Sequence, residues 1–482
     1  MVNYRKVINV LGLLLLIEGA FIGLCIIVSL VYGGYDLAAF IITFLVIILV
    51  GGTAWISTRN EEQYIGKREG FIIVGLVWVM FSIFGCLPFI FSGAINSVTD
   101  AFFETMSGFT TTGATILDDI EAMPHGLLFW RSLTQWIGGL GIIVLSLAIL
   151  PILGVGGMQL FIAEVPGPTK EKIHPRVKET AKRLWGIYII FTVAQAFLMM
   201  LGGMSLFDAV NHSFTTMATG GFSTKQASIA HFDSAYIQYI IILFMLIAGT
   251  NFTLSYFAFH RKFRKVWEND EFRFYLTVIA IFTLIIGAGF IITSEASPES
   301  SLRTAAFQVV SIVTTTGYVT SDYLGWFPLF TVVIFLLMFF GGSAGSTAAG
   351  VKMIRVLLIF RNSHLELKRL IYPNAVLRVR YNDQVVSPRI ISNVMAFVFF
   401  YIAILLFSVC VMGAMGYNFD TSFGAVAATL GNIGPGMGDV GPVESYSHIP
   451  VFGKWFLSFM MMLGRLELFT VLVLFSPSFW RK

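Results

Sequence analysis

The chain contains little charge. Only 12% of its 482 residues are Asp, Glu, Lys or Arg, whereas an ordinary soluble domain has roughly 25%. So few charged residues cannot cover the surface of a soluble globular protein, and that class is excluded. The stretches between the apolar runs are also too short to bury a core of their own, which excludes a separate soluble catalytic domain.

Reactive side chains are scarce as well. The cysteines, Cys25, Cys86 and Cys410, have the spacing of neither a metal site nor a disulfide framework. Inside the apolar runs the acids are Glu18 and Glu467, which lie far apart in the chain. Because paired carboxylates, Ser/Lys or His/Glu combinations and metal motifs are missing there, the sequence does not predict an enzyme. Nucleic-acid binding is not predicted either, since the basic residues lie where membrane topology requires them.

Long apolar runs are what the sequence has in abundance, since 56% of its residues are hydrophobic. Ten runs approach or exceed the ~20 residues that cross a bilayer. They predict an all-α, multi-pass membrane protein. The runs are 7–32, 37–56, 71–91, 127–153, 184–204, 235–259, 274–293, 324–360 with an interruption, 390–412 and 449–475.

The basic residues predict the orientation. Of the 31 Lys and Arg, 26 lie at the two ends of the chain and in four loops, which are residues 59–68, 170–183, 261–273 and 352–389. The positive-inside rule therefore places both termini and these loops in the cytoplasm. The remaining loops carry 14 acids against four bases. An acidic outer face concentrates cations, although simple tolerance of acids on that side explains the same pattern.

Self-similarity divides the chain into an N-terminal two-helix domain and four pore repeats. The predicted boundaries are 1–65, 66–165, 166–265, 266–375 and 376–482. In each repeat an apolar run is followed by a short semi-apolar stretch, a turn containing glycine and a second run. The short stretches are 99–109, 206–217, 301–313 and 419–430. They are too brief to cross a bilayer, so we expect them to enter it and return.

The four turns predict an ion selectivity filter around a pseudo-fourfold axis. They read Thr110-Thr111-Thr112-Gly113, Met217-Ala218-Thr219-Gly220, Thr314-Thr315-Thr316-Gly317 and Gly431-Asn432-Ile433-Gly434. Four extended segments around one axis present carbonyl oxygens to a dehydrated cation, and the short helices direct their negative ends at it. The predicted ion-binding residues are Thr111, Thr112, Gly113, Thr219, Gly220, Thr315, Thr316, Gly317, Asn432, Ile433 and Gly434.

Four strings in this sequence resemble a known family. They are GFTTTGAT at 108–115, QWIGGLG at 135–141, GGSAGST at 341–347 and GNIGPG at 431–436. With the order of two extra helices and four repeats, they make essentially the whole chain similar to the bacterial TrkH potassium-uptake family of the Trk/Ktr/HKT superfamily. The resemblance implies a homodimer in the inner membrane with one pore per protomer. It also implies transport of K⁺ without an organic cofactor, and regulation by a cytosolic nucleotide-binding ring, TrkA.

The resemblance bears on individual residues too. It makes Gly113, Gly220, Gly317 and Gly434 the filter glycines, and a glycine at 113, where sodium-permeable relatives have serine, favours potassium. The same family places an obstructing loop below the filter. Here the run 341–350 is too rich in small residues for a lipid-facing helix, although a close helix-packing face would use the same composition. The predicted gate residues are Gly341, Gly342, Ser343, Gly345 at the tip, and Gly350.

Charged residues within the runs need partners. Arg465 either pairs with Glu467 or a group on another helix, or forms a fixed positive charge below the filter, as the matching arginine of the family implies. Glu18 lies outside the repeats and is predicted to be a satisfied interhelical group. The basic stretch 170–183 is predicted to form an amphipathic helix on the membrane surface, with docking of the regulatory ring as a second use.

Supporting groups around the filter are harder to assign. The string 135–141 is predicted to be mainly structural. The polar residues that could bond the filter from behind are Asn211, Thr216, Ser311 and Thr315.

A coupled transporter is the main alternative to a conducting pore. Such proteins often have inverted repeats with ion sites at broken helices. Here every repeat is predicted to start on the cytoplasmic side, so conduction is favoured over a proton- or sodium-coupled potassium symporter.

Overall fold

The computed structural model describes residues 2–59, 66–144, 173–293 and 296–481 of the chain. Within them the fold is helical, apart from one two-stranded antiparallel sheet that pairs Arg380–Tyr381 with Gln384–Val385. Six described helices are long and apolar enough to cross a membrane, or up to eight spans if two bent helix pairs are each counted as one. The prediction of an all-α, multi-pass membrane architecture is confirmed.

The N-terminal helices Tyr4–Tyr32 and Leu37–Ser57 form a hairpin. The Ser29 hydroxyl donates to Oδ1 of Asp36 at 2.5 Å and closes the turn. The other carboxylate oxygen of Asp36 accepts from the N–H of Leu127 at 3.0 Å. The hairpin is therefore tied to the start of the helix His125–Val144, which belongs to the first repeat.

The rest of the described chain repeats one plan four times. The helices of the repeats are, in chain order, Lys67–Gly85 with Leu87–Phe91, Val98–Phe109 and His125–Val144; Ile173–Leu201, Leu206–Met217 and Ala235–Ala248 with Phe252–Phe259; Asp270–Thr293, Pro298–Val313, Pro328–Leu337 and Met353–Ile371; and Pro388–Ala414, Phe419–Leu430 and Val451–Arg465 with Phe469–Leu472. Shorter helices are Phe263–Trp267 and Pro477–Trp480, and the 3-10 turns are Ser228–His231, Tyr323–Gly325, Gly438–Val440 and Val473–Phe475.

The short helix of each repeat, called pore helix 1 to 4 below, begins with the same local chemistry. A Ser or Asn side chain caps each helix by accepting the backbone N–H three residues later, and an acid follows in the first turn. Both features stabilise the positive end of a helix. The caps are Ser97, Ser205, Ser297 and Asn418. The pore helices end at Phe109, Met217, Val313 and Leu430, as the sequence predicts.

Two apolar runs that were predicted as continuous spans are bent. The run 235–259 breaks at residues 249–251 with a bend of 108°, and the run 449–475 breaks after Arg465 with a bend of 110°. The interrupted run 324–360 has only the ten-residue helix Pro328–Leu337 before its loop. The residues at the breaks 249–251 and 465–468 are mostly buried, and a backbone break inside protein keeps its hydrogen bonds through neighbouring segments.

Some predictions fall on residues that are not described. The predicted boundary at 165/166 and residues 170–172 of the basic stretch lie outside the described residues, as do residues 145–153 of the fourth apolar run. For 173–180 the structure describes a helical backbone.

Glu18 differs from its prediction. Its side chain is buried, with 1% exposed, and neither carboxylate oxygen has a hydrogen-bond partner among the described residues. A β-carbon added to Gly85 would lie 3.2 Å from Oε1 of Glu18 and 3.3 Å from Cγ2 of Thr105. The carboxyl group therefore packs between the N-terminal hairpin and pore helix 1 without the interhelical bond that the sequence suggests.

We expect Glu18→Leu to raise the midpoint of thermal unfolding in detergent, because burying a polar group without a hydrogen bond costs roughly 1–3 kcal/mol. Tryptophan fluorescence during heating measures the midpoint. The matched variant Glu104→Leu should lower it, because Glu104 accepts from Nε of buried Arg131 at 2.6 Å and breaking such a pair costs roughly 3–5 kcal/mol. An equal decrease of the unfolding midpoint in both variants would contradict the conclusion that Glu18 is buried without a hydrogen bond.

Candidate ion pathway

Each pore helix is followed by a segment with one repeated backbone conformation. Two residues after the helix ends, a non-glycine residue has positive φ, and two residues further a glycine does. The non-glycine residues are Thr111, Thr219, Thr315 and Asn432, with φ of 52°, 53°, 56° and 52°. The glycines are Gly113, Gly221, Gly317 and Gly434, with φ of 85°, 77°, 77° and 99°. We call 110–113, 218–221, 314–317 and 431–434 filter segments 1 to 4, after the role that the sequence predicts for them.

The filter segments meet in a closed ring. A β-carbon on Gly113 would overlap the carbonyl oxygen of Gly220 in segment 2, and one on Gly221 would overlap that of Thr316 in segment 3. The order continues from Gly317 to the carbonyl of Ile433 in segment 4. It closes from Gly434 to segment 1, where a β-carbon would lie 2.7 Å from the carbonyl oxygen of Thr112. The four carbonyls in these contacts occupy equivalent positions.

The contacts in this ring correct the glycine position that the sequence predicts for the second repeat. The equivalent of Gly113, Gly317 and Gly434 is Gly221, whereas Gly220 occupies the position of Thr112. The prediction that Gly220 is the filter glycine of this repeat is therefore wrong by one residue. The sequence contains Gly220-Gly221, and a glycine pair hides the register. Counting four residues from the end of each pore helix finds the correct glycine in every repeat.

The segments are braced in two ways. In segments 1 and 3, the hydroxyls of two threonines that lie two residues apart bond each other at 2.8 Å, and the pairs are Thr110 with Thr112 and Thr314 with Thr316. Segments 2 and 4 have no such pair. There the bonds come from side chains elsewhere, since Gln135 binds segment 2, while Tyr446 binds segment 4.

The residues predicted to support the filter from behind have different roles. The hydroxyl of Ser311 donates to the carbonyl of Tyr318 just past segment 3, at 2.7 Å. Thr216 donates to the phenol of Tyr318 at 3.3 Å and to its own helix. Asn211 donates to its own helix as well, at Phe207. Thr315 lies in the ring itself, and its hydroxyl accepts a hydrogen bond from the N–H of Ala349.

An open cavity lies against the ring and contacts one glycine of each filter segment, namely Gly113, Gly221, Gly317 and Gly434. Its lining also includes Arg131 and Lys225. Each of these bases faces an acid, because Nε of Arg131 lies 2.6 Å from Glu104 and Nζ of Lys225 lies 3.5 Å from Glu121. The basic residues of this cavity are therefore offset by acids, and no uncompensated positive charge from them opposes a cation.

Residues 341–350, here called the glycine loop, are not helical. The N–H of Gly341 donates to the carbonyl of Val351 at 2.8 Å and closes the base of the loop. The loop fills the break of the bent helix pair in repeat 2, where the N–H of Ser343 donates to the carbonyl of Gly249 at 2.8 Å. Gly345 (φ 75°) and Gly350 (φ 68°) have conformations that side chains rarely adopt. The structure therefore has a loop at 341–350 and not a continuous helix, and its position within the membrane stays a prediction.

The glycine loop contacts filter segment 3 and the end of pore helix 2. The N–H of Ala349 donates to the hydroxyl of Thr315 at 2.9 Å, and the hydroxyl of Thr347 donates to the carbonyl of Met217 at 3.0 Å. Met217 is the last residue of pore helix 2. The loop therefore binds filter segment 3 and the residue directly before filter segment 2.

Arg465 connects the glycine loop to the first repeat. It is buried, with 2% exposed, and its guanidinium donates to the carbonyl of Thr347 at 2.7 Å and to that of Gly138 at 3.1 Å. The pairing of Arg465 with Glu467 is not found, because Glu467 binds Arg355 at 2.5 Å. Arginine suits such a site because its planar donors can bind two carbonyls while remaining charged.

A second charged residue holds the loop, and the sequence analysis missed it. Glu271 is 2% exposed, and its Oε1 accepts the N–H of Ala344 at 2.7 Å and that of Ile354 at 3.1 Å. It therefore binds the loop and the first turn of the helix Met353–Ile371 together. Its neighbour Asp270 accepts from Arg361 at 2.7 Å. An acid at the start of a predicted span looks like an ordinary N-terminal helix residue, so the sequence held no signal for this role.

Comparison with known proteins shows the family to which the chain belongs. The family profile TrkH, described as a cation transport protein, matches residues 36–482. The chain belongs to the TrkH family. It is 44% identical to the "Trk system potassium uptake protein TrkH" of Salmonella typhimurium and to that of Escherichia coli K12, over 100% of each chain. Its structure resembles the crystal structure of the potassium transporter TrkH from Vibrio parahaemolyticus, with a TM-score of 0.92 and 38% identity over 99% of this chain and 100% of that one.

The register of segment 2 is open to a direct test. We expect Gly221→Ala to reduce the yield of folded protein, because a β-carbon would overlap the carbonyl of Thr316 and the residue has φ of 77°. Size-exclusion chromatography in detergent and the melting midpoint measure the loss. The control Gly186→Ala lies in a helix with open space around it and should retain normal yield. Normal folding of Gly221→Ala would contradict the ring.

Proposed function

We propose that this TrkH-family chain carries K⁺ into the bacterial cell through a pore whose selectivity filter is formed by filter segments 1 to 4. The closed ring of four equivalent segments is the observation that carries the proposal. Backbone carbonyls can replace the hydration shell of a dehydrated alkali ion. The names of the relatives, which are potassium uptake proteins, support K⁺ as the ion.

The proposed filter residues follow the corrected register. Four equivalent carbonyls each lie against the glycine of a neighbouring segment in the ring, and each segment directly follows the C-terminal end of a pore helix, which carries a partial negative charge. The residue at 113 is glycine rather than serine, which supports potassium over sodium. The proposed ion-binding residues are Thr111, Thr112, Gly113, Thr219, Gly220, Gly221, Thr315, Thr316, Gly317, Asn432, Ile433 and Gly434.

The glycine loop is the proposed gate. It touches filter segment 3 and pore helix 2 directly, and Arg465 and Glu271 hold it in this position by charge-assisted bonds to its backbone. Such bonds are stronger than neutral ones. In this proposal Arg465 acts chiefly as a latch for Thr347, and its charge also opposes a cation that rests below the filter.

The partner that operates the gate is proposed to be a cytosolic nucleotide-binding ring of the TrkA type, acting on a homodimer in the inner membrane. The helix Met353–Ile371 starts directly after the glycine loop and continues into a basic segment. Force on this segment acts on the loop through Ile354 and Glu271. In the proposed orientation, both termini and the basic segment lie in the cytoplasm.

Flux through reconstituted protein tests the function. The purified chain in liposomes should transport K⁺ and Rb⁺ much faster than Na⁺, with the rate following the K⁺ gradient alone. An imposed proton or sodium gradient distinguishes a conducting pore from the alternative, a coupled symporter. In a symporter, that gradient would drive K⁺ uptake against the K⁺ gradient. Absence of any K⁺ flux above that of empty liposomes, under all gradients, would refute the proposal.

Shortening the glycine loop tests the gate. We expect deletion of residues 344–346 to raise K⁺ flux several-fold, because the loop then cannot reach Thr315 and Met217. Rb⁺ uptake into liposomes measures the flux, and the melting midpoint verifies that the protein is folded. Unchanged flux through a folded variant would show that the loop only packs the helices together.

Removing either latch should also favour the open pore. We expect Arg465→Ala and Glu271→Gln each to raise flux about tenfold or more, since bonds to charged groups contribute about 1.5–3 kcal/mol. Single-channel or liposome flux recordings measure this. The control Arg264→Ala removes a residue whose side chain is 90% exposed and pairs with Glu268, and it should leave the flux unchanged. Loss of folding in both latch variants, with no gain in flux, would assign the two residues to structure alone.

A further inference from the structure

The four filter segments are not held alike, and the difference alternates around the ring. Segments 1 and 3 each contain a hydroxyl pair of their own, Thr110 with Thr112 and Thr314 with Thr316, both at 2.8 Å. In segments 2 and 4 the first of these positions holds Ala218 or Gly431, which cannot form such a pair. Because the ring runs 1-2-3-4, the two segments without a hydroxyl pair lie opposite each other.

Segment 2 is bound instead by Gln135 from the helix His125–Val144. Its amide Nε2 donates to the carbonyl of Gly220 at 2.7 Å, and its Oε1 accepts the N–H of Phe222 at 3.1 Å. Gln135 is fully buried. One side chain therefore binds the backbone on both sides of Gly221, in the manner of a neighbouring strand.

Segment 4 is bound by two side chains. The phenol of Tyr446 donates to the carbonyl of Gly434 at 2.9 Å. The amide of Asn432 donates to the hydroxyl of Thr112 at 2.8 Å and to the carbonyl of Met461 at 2.9 Å. The bond to Thr112 joins segment 4 to the hydroxyl pair of segment 1.

These bonds single out two carbonyls of the ring. Thr112, Gly220, Thr316 and Ile433 supply the four equivalent carbonyls of one level of the ring. Among them, within the described residues, the carbonyl of Gly220 accepts a hydrogen bond from a side chain. At the next level, formed by the four glycines with positive φ, the same is true of Gly434. A hydrogen bond fixes the direction of a carbonyl and draws its electron density towards the donor. Both effects alter how it binds an ion.

The residue at 220 is adapted to Gln135. A β-carbon on Gly220 would overlap Cδ of Gln135 and lie 2.8 Å from its Nε2. The three equivalent positions hold Thr112, Thr316 and Ile433, all with side chains. Gln135 therefore occupies the space that the side chain takes in the other repeats, and the glycine at 220 is needed for this contact rather than for an unusual φ.

We propose that Gln135 and Tyr446 are positioning residues that set the discrimination between K⁺ and Na⁺, by holding the carbonyls of Gly220 and Gly434 in opposite filter segments. The proposal rests on the proposed function of the filter. Segments 1 and 3 contain their own hydroxyl pairs. Segments 2 and 4 lack such a pair, and the two external donors bind one carbonyl in each of them. Without a donor, the freed carbonyl moves closer to the axis and accommodates the smaller Na⁺.

Single substitutions test the two donors. Gln135→Ala and Tyr446→Phe should each lower the ratio of K⁺ to Na⁺ flux in liposomes about fivefold, which corresponds to the loss of one hydrogen bond of about 1 kcal/mol. The matched control is Tyr188→Phe, because this phenol donates to a backbone carbonyl outside the filter, that of Trp136, at 3.1 Å. Its flux ratio should equal that of the unchanged protein. An unchanged ratio in Gln135→Ala and Tyr446→Phe would overturn the proposal.

A double variant separates positioning from packing at segment 2. Gly220→Ala alone should lower the yield of folded protein, because its β-carbon overlaps Gln135. The double variant Gln135→Ala with Gly220→Ala removes that overlap and should fold, as the melting midpoint will show. Its K⁺ to Na⁺ flux ratio should stay low, since no donor reaches the carbonyl at 220. A ratio restored to that of the unchanged protein would show that Gln135 only fills space and would overturn its positioning role.

The unchanged protein separates this inference from the proposed function. If it shows no K⁺ flux, both the proposed function and the inference that rests on it are refuted. If it carries K⁺ selectively and both donor variants carry it with the same selectivity, the inference alone fails.

Discussion

Backbone groups at membrane depth must find hydrogen-bond partners inside the protein, and this constraint organises the whole structure. The filter segments, the glycine loop and the two helix breaks all expose such groups. They satisfy one another in part, as the glycine loop does when it binds Gly249 and Thr315. Because each irregular segment needs the others, the repeats are held together by their least regular parts as well as by helix packing.

Buried charged side chains also provide hydrogen-bond partners for irregular backbone. Arg465 binds two backbone carbonyls, Glu271 binds two backbone N–H groups, and Arg131 binds both Glu104 and the carbonyl of Ser223. Each of these side chains stabilises a loop that a neutral residue would hold less firmly. A buried charge in a membrane protein is costly, and here the bonds to irregular backbone explain why the residues are charged. Glu18 is different, because within the described residues neither of its carboxylate oxygens has a hydrogen-bond partner.

Much of the fold could be predicted from the sequence, because apolar runs of membrane length and short semi-apolar stretches followed by glycine turns are local patterns. The ends of all four pore helices were predicted correctly from such signals. The site was predicted less completely. The pair Gly220-Gly221 led to a prediction that was wrong by one residue in segment 2. The two bent spans were predicted as continuous because the sequence on both sides of each break is apolar, although the breaks contain Thr250 and Asn251 in one span and Arg465 and Glu467 in the other. Roles that act across repeats, such as those of Gln135, Glu271 and Tyr446, leave no pattern along the chain.

The amino-acid sequence by itself determined that this chain crosses a membrane several times, repeats one plan four times and carries a glycine turn after each short helix. These properties depend on composition and on spacing between near neighbours, which a linear chain displays. The tertiary structure alone decided which glycine of the second repeat enters the ring, that Arg465 binds Thr347 rather than Glu467, and which side chains hold each filter segment. Those outcomes depend on contacts between residues up to about 330 positions apart, such as Arg465 with Gly138, and steric fit in three dimensions selects them.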